Sequence, residues 1–144
     1  GEVAFGTAPS AGRVAATLRA HSQQVMDRLV ERCTELARGI GRAHGLQVEC
    51  SLAEPFPATV NDDGLVELLE RVAAEQGVVV ARPPIPFAWS EDFGHFAGQC
   101  PSLLFGLGAG EEHPALHARS YDFNDALIAV GAKVLAQLVH NLLR

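Results

Sequence analysis

The sequence has no long apolar run, few basic residues and few cysteines, and each shortage excludes a class of protein. No stretch approaches the length of a membrane span, and we expect no signal peptide. With 11 Lys and Arg against 17 Asp and Glu, the formal net charge of −6 argues against a nucleic-acid-binding surface. The three cysteines lack metal-ligand spacing and cannot all pair, so we expect reduced core residues in a cytoplasmic protein.

The residues that are abundant are those of a soluble α/β protein. Hydrophobic residues make up 48% of the sequence and charged residues 19%, which argues against disorder. The 144 residues are enough for one domain or for two small ones with a real core. The sequence opens at Gly1 without Met, inside a strand-like stretch, and we expect a fragment of a longer polypeptide.

The first half has the pattern of strand, strand, helix, strand. Residues 1–8 and 13–19 predict a hairpin, because apolar and polar residues alternate in the second of them. Ser22 is a good N-cap for an amphipathic helix that ends before Gly45. Residues 46–53 alternate again and predict a third strand. One helix covering one face of a small sheet is an open-faced sandwich.

A proline-rich linker at 54–64 predicts a domain boundary, and the second half then alternates helices with strands. Continuous β-branched or apolar runs favour strands that are buried on both faces. The second half is too small to close a sheet by itself. Its predicted strands lie at 78–81 and 102–105. The first predicted helix begins at Leu65 and ends at Gly77, and a short second helix is capped by Ser90 or Glu91, with Phe93 and Phe96 pointing inward. The last helix begins at Asp122 or Asn124 and buries five residues: Leu127, Val130, Val134, Leu138 and Leu142.

His117 is the first candidate for chemistry, because it follows a predicted strand and a glycine-rich loop at 106–110. Neutral imidazole suits Zn²⁺, but one His cannot hold the ion, and a lone His is more often a surface or core residue. The glycine-rich loop has no Lys-Ser/Thr pair for a phosphate site. Two interpretations remain: a loop whose backbone approaches a ligand closely, or a simple connecting loop. Glu91 and Asp92 suit a helix N-terminus, and Arg19 suits a solvated strand end.

Taken together in order and spacing, five motifs of the second half resemble the co-catalytic zinc amidohydrolases and metallopeptidases. That family includes aminoacylases, hippurate hydrolases, auxin-conjugate hydrolases and enzymes of the carboxypeptidase G type. The motifs are Ser90-Glu91-Asp92-Phe93, Cys100-Pro101, Phe105-Gly106-Leu107-Gly108, Leu116-His117 and Tyr121-Asp122-Phe123-Asn124-Asp125.

The resemblance implies an α/β fragment made of parts of two domains. Residues 1–60 would be the second half of a lid or dimerisation domain, and 61–144 the C-terminal part of a phosphorylase/hydrolase-like catalytic domain. His117 would be the last protein ligand of a two-zinc site, for zinc or another divalent metal, with His113 only a loop residue. The other ligands and the general-base Glu would lie upstream. We therefore expect no tight metal binding and no activity from this chain alone.

The resemblance also implies a substrate and a partner. The reaction would be hydrolysis of an amide in an N-acyl amino acid or small peptide by metal-activated water. Arg19 would hold the substrate carboxylate, although Gly6 stands where the family usually has Asn, and Glu91 and Gly108 would face the substrate. A homodimer through the lid is expected. The alternative from another class is a non-catalytic α/β dimerisation or binding module.

Overall fold

The computed structural model describes residues 6, 11–89 and 91–144, and all regular secondary structure in these residues is helical. The chain divides into two compact units, Gly1–Ala53 and Glu54–Arg144. The first unit contains helix α1, and the second contains α2, α3 and α4. Their bounds are Gln23–Ala43 for α1, Asp63–Glu75 for α2, Gly94–Ala97 for α3 and Ala126–Leu142 for α4. None of these helices is long and apolar enough to cross a membrane.

Helix α1 begins and ends where the sequence predicts. The Ser22 hydroxyl accepts a hydrogen bond from the Val25 N–H at 3.3 Å, which satisfies a donor of the first turn. At the other end, Gly45 has φ +66° and the Leu46 N–H donates to the Gly41 carbonyl at 2.8 Å. This is the Schellman arrangement, in which glycine supplies the left-handed residue that ends the helix. The predicted helix is confirmed.

Helices α2 and α4 pack together and form the core of the second unit. Leu69 and Val72 from α2 are buried against Val134 and Leu138 from α4. Four partly buried residues complete the cluster: Leu68, Val78, Leu103 and Phe105. The spacing of three or four residues within each pair gives each helix one apolar face. Both predicted helices are confirmed, but Leu142, which the sequence places inside, is 58% exposed at the end of α4.

The start and end of α2 are fixed by local hydrogen bonds. The Asp62 side chain accepts from the Leu65 N–H at 3.0 Å, which caps the first turn. Gly77 has φ +69°, and the Val78 N–H reaches back to the Ala73 carbonyl at 2.8 Å. The second Schellman turn therefore ends α2 at the glycine that the sequence singles out.

The predicted strands are the part of the sequence-based fold that the described residues do not confirm. Among the described residues, segments 13–19, 46–53, 78–81 and 102–105 form no strand ladder, so the open-faced sandwich and the α/β sheet are not confirmed. Alternation provides a face for packing, but a strand also needs a neighbour for its backbone hydrogen bonds. None of these segments forms a ladder with a second strand in the described part of the chain, although segment 102–104 is bonded to a neighbouring stretch, at Asn61 and Asp62. Of the predicted strand at 1–8, only Gly6 is among the described residues.

The short helix α3 departs from its prediction in one side chain. Phe93 is half-buried, but Phe96 is 62% exposed, so Phe96 does not point inward as predicted. The reason is the shortness of α3, whose buried residue is Gly94. A Cβ on Gly94 would lie 2.5 Å from the Pro57 carbonyl oxygen, so α3 approaches the linker as only glycine allows. The proposed cap Ser90 lies outside the described residues.

The three cysteines are unpaired, and their positions correct the expectation of core residues. Cys33 is half-buried on α1, whereas Cys50 and Cys100 are exposed. The alternation that places Cys50 on an inner face requires the strand at 46–53, which does not form a ladder. Exposure of Cys50 follows from that missing pairing.

Candidate functional site

Asn61 holds the segment that leads into the glycine-rich loop. Its side-chain amide donates to the Leu104 carbonyl and accepts from the Leu104 N–H, each at 2.8 Å. Next to it, the Asp62 N–H donates to the Ser102 carbonyl at 2.9 Å. These three bonds give segment 102–104 the partners that an adjacent strand would give. The sequence analysis treated Asn61 as linker, although an amide can pair with both backbone groups of one residue.

The glycine-rich loop at 106–110 presents backbone rather than side chains. Gly106, Gly108 and Gly110 are exposed, and Gly110 has φ +104°, which favours glycine. A Cβ on Gly108 would have no neighbour within 4 Å, so a ligand can approach the backbone there. Asn124, just before α4, donates to the Ala109 carbonyl at 3.5 Å. The glycine-rich loop is therefore anchored near both of its ends: Asn61 binds segment 102–104 before it, and Asn124, just before α4, binds Ala109 within it.

His117 is exposed in a tight turn with an unusual backbone conformation. The Ala118 N–H donates to the Ala115 carbonyl at 3.0 Å, which closes the turn, and His117 has φ +70°. This third position of a type II turn normally carries glycine or asparagine. A side chain held at positive φ costs roughly 1–2 kcal/mol, and such strain is concentrated at functional sites. Among the described residues, His117 shares a positive φ with one other residue that is not glycine, Glu54 at φ +51°.

His113 makes contacts within the same loop. Its ring meets Tyr121 edge-on, with centroids 5.2 Å apart at 69°, and its Nδ1 lies 3.0 Å from the Pro114 carbonyl oxygen. Aromatic pairs favour this edge-on geometry. These contacts give His113 a structural role in the loop that leads to His117.

The other two predicted side chains of the site, Glu91 and Arg19, are both exposed and belong to different units. Glu91 is exposed, and its carbonyl accepts from the Gly94 N–H at 3.4 Å. Arg19 is exposed and belongs to the Gly1–Ala53 unit, whereas Glu91, Gly108 and His117 belong to the other unit. No hydrogen bond or ion pair joins Glu91, Gly108 and His117 to one another. Within the second unit, the predicted site is a set of exposed groups rather than a bonded cluster.

The described residues do not form a complete metal site. Among them, no group of three or more His, Cys, Asp or Glu side chains could hold a metal ion. Zinc needs three or four protein ligands, and His117 supplies one. The ligand set that the described chain presents therefore does not fit a zinc centre by itself.

An ion pair between Arg82 and Glu70 joins the chain after α2 to that helix. Arg82 Nε lies 2.6 Å from Glu70 Oε1. This hydrogen bond lowers the pKa of the Glu70 carboxyl and raises the pKa of the Arg82 guanidinium. Arg82 remains largely exposed, so the pair adds little stability in water. It holds residues 78–82 against α2.

Two aromatic side chains that the sequence analysis left without a role stack beside the glycine-rich loop. The rings of Phe87 and Trp89 have centroids 4.1 Å apart and planes 13° apart. Phe87 Cζ lies 3.8 Å from the position that a Cβ on Gly106 would take. The signal in the sequence was two aromatic residues at alternate positions after Pro86, which an extended chain places on one face.

Comparison with known proteins places the chain among hydrolases. The model of peptidase family M20/M25/M40 matches residues 3–141. An N-acetyldiaminopimelate deacetylase of Lacticaseibacillus paracasei is 28% identical over 126 residues, which are 87% of this chain and 33% of that protein. A hippurate hydrolase of Campylobacter jejuni is 27% identical over 139 residues, 94% of this chain and 36% of that protein.

A putative amidohydrolase of Bacillus subtilis, YhaA, is 27% identical over 128 residues, 83% of this chain and 32% of that protein. The chain thus spans about one third of the length of the curated relatives that it matches. No solved structure matches the chain.

Proposed function

Because the chain belongs to peptidase family M20/M25/M40, we propose that it is part of an amidohydrolase that cleaves the amide bond of N-acyl amino acids or small peptides. The observation that carries this proposal is the match of the family model to residues 3–141, nearly the whole chain. The names of the relatives support it. One is named as a deacetylase of an N-acetyl compound and another as a hydrolase of hippurate.

Four residues carry the proposed roles in substrate and metal binding. The exposed backbone at Gly108 and the exposed carboxylate of Glu91 face the substrate. The guanidinium of Arg19 binds the substrate carboxylate, since its planar fork can donate two parallel hydrogen bonds to the two oxygens. The imidazole of His117 is one metal ligand. The turn at 115–118 presents this ring to solvent, where a ligand can reach it.

The metal requires further ligands from outside the described residues, because these residues contain no group of three candidate ligands. A bound zinc ion would polarise the amide carbonyl and activate water. We assign residues 1–60 to a lid through which the protein forms a homodimer, and residues 61–144 to the C-terminal part of the catalytic domain. In this proposal the 144-residue chain is a fragment of a cytoplasmic enzyme.

The test compares the polypeptide encoded by the complete reading frame with the 144-residue chain. Each is supplied with Zn²⁺ and a panel of N-acyl amino acids, and release of the free amino acid is measured. We expect hydrolysis by the complete polypeptide and none by the chain alone. An inactive complete polypeptide that still dimerises would instead support a non-catalytic module.

The role of Arg19 is tested with matched substrates. In the complete polypeptide, Arg19→Ala should raise KM for N-acyl amino acids. It should leave the hydrolysis of the corresponding C-terminal amides nearly unchanged, because the amides lack the carboxylate. Arg28→Ala, on the exposed surface of α1, is the control. An equal effect of Arg19→Ala on both substrate series would contradict carboxylate recognition.

A further inference from the structure

We propose that the stacked rings of Phe87 and Trp89 bind the acyl group of aromatic N-acyl amino acids. This inference rests on the proposed function, because it assigns the acyl-binding part of the same site. We call the two rings the aromatic platform. It would make the protein prefer a flat aromatic acyl group over a short aliphatic one.

The aromatic platform is already ordered and open. Its rings are nearly parallel, 13° apart with centroids at 4.1 Å, so each covers one face of the other and the outer faces remain as flat apolar surfaces. Phe87 is 50% exposed and Trp89 is 55% exposed. Stacking fixes both rings before a ligand arrives, which reduces the ordering that binding would require. A ligand ring that covered one of these surfaces would remove apolar area from water on both sides of the contact.

The position of the aromatic platform favours a small acyl compound as its occupant. The edge of the Phe87 ring lies against Gly106, the first residue of the glycine-rich loop, with Cζ at 3.8 Å from the position of an added Cβ. Backbone donors and acceptors of that loop are therefore close to an apolar surface. Small-molecule sites typically combine a mainly apolar surface with a few polar groups. An acyl amide has the same combination, an apolar group joined to a polar C=O and N–H.

Two other occupants of the aromatic platform are a nucleic acid and a second copy of the chain. The net charge of −6 disfavours stacking of the bases of a nucleic acid, since a basic groove normally accompanies such platforms. A second copy of the chain could cover the rings instead. In that case the environment of Trp89 would change with protein concentration and not with an acyl ligand.

The tryptophan of the platform provides the readout, because the sequence contains one Trp. The fluorescence of Trp89 is followed while the chain is titrated with N-benzoylglycine or with N-acetylglycine. These probes share the carboxylate and the amide and differ in the acyl group. We expect a saturable change with the benzoyl probe and an affinity on the order of tenfold above that for the acetyl probe. Binding needs neither a metal nor hydrolysis.

Matched variants test whether the platform itself binds the ring. Phe87→Ala should reduce the affinity for N-benzoylglycine several-fold, and Phe87→Tyr, which keeps the ring, should retain it. Phe96→Ala is the control, since Phe96 is an exposed phenylalanine outside the platform, and it should have no effect. Circular dichroism checks that each variant keeps its helices.

Three results would overturn the proposal: equal affinity for the two probes, unchanged benzoyl affinity in Phe87→Ala, or a Trp89 signal that follows only protein concentration. Failure of the proposed function is distinguishable from these. A complete polypeptide that hydrolyses no N-acyl amino acid, while the chain still prefers the benzoyl probe, would refute the reaction and leave the aromatic platform in place.

Discussion

Replacement of Asn61 by Ala should destabilise the Glu54–Arg144 unit by about 2 kcal/mol. The substitution removes both 2.8 Å hydrogen bonds to the Leu104 backbone. Each such bond contributes about 0.5–1.5 kcal/mol net, and a buried backbone group left unsatisfied costs about 1–3 kcal/mol. Asn61 and Leu104 are only partly buried, so water can replace some of the lost hydrogen bonds. We therefore expect a destabilisation in the lower part of the range that these two contributions give together.

The assay is urea unfolding followed by circular dichroism at the wavelength of helix absorption. Asn61→Asp tests the geometry, because its carboxylate can accept from the Leu104 N–H but cannot donate to the Leu104 carbonyl. It should therefore also destabilise the protein. Asn141→Ala, in α4, is the control and should be neutral or slightly stabilising, since Ala favours helix. An Asn61→Ala variant with the stability of the parent chain would refute the view that this amide replaces a neighbouring strand.

Three further predictions concern charge, backbone strain and close packing. The pKa of Glu70 is lowered by its arginine partner, so the contribution of this pair to stability is present above the unfolded-state pKa and is lost as the pH falls through the folded-state pKa. Because solvent reaches both partners of the pair, Glu70→Gln should flatten the acid limb of stability measured against pH only slightly. His117→Gly should be about 1 kcal/mol more stable than His117→Ala in urea unfolding, because glycine accepts φ +70° without the strain that alanine incurs, and equal stabilities would argue against that backbone conformation. Gly94→Ala should cost about 1–3 kcal/mol in thermal unfolding because its Cβ would lie 2.5 Å from the Pro57 carbonyl oxygen, whereas Gly98→Ala, with its nearest neighbours at 3.9 Å, should be far milder; similar losses for both would contradict the close approach.

The helices could be predicted from the sequence because their signals are local. Ser22 and Gly45 mark the ends of α1 through hydrogen bonds to residues three to five positions away. The apolar face of α2 likewise follows from spacing within one helix. Strand pairing is non-local, and alternation in 46–53 does not say which segment pairs with it. The strands are therefore the part of the sequence-based fold that is not confirmed.

The candidate site was predictable only in part, for the same reason. The motif around His117 marks the residue, but its positive φ depends on a turn that no pattern in the sequence specified. Asn61 lies 43 positions from Leu104, so a reading of local patterns treated it as linker. The stacking of Phe87 on Trp89 follows from alternation, but its place beside Gly106 depends on how the unit folds.

Hydrolysis of an N-acyl amino acid by the complete polypeptide and by its His117→Asn variant tests the central claim most directly. Asparagine tolerates positive φ, so the variant removes the imidazole and keeps the turn. His140→Asn, at an exposed position on α4, is the control. Zn²⁺-dependent activity in the parent and in His140→Asn, with activity at background level in His117→Asn, is the predicted result. Full activity in His117→Asn would contradict the assignment of His117 as a metal ligand of an amidohydrolase.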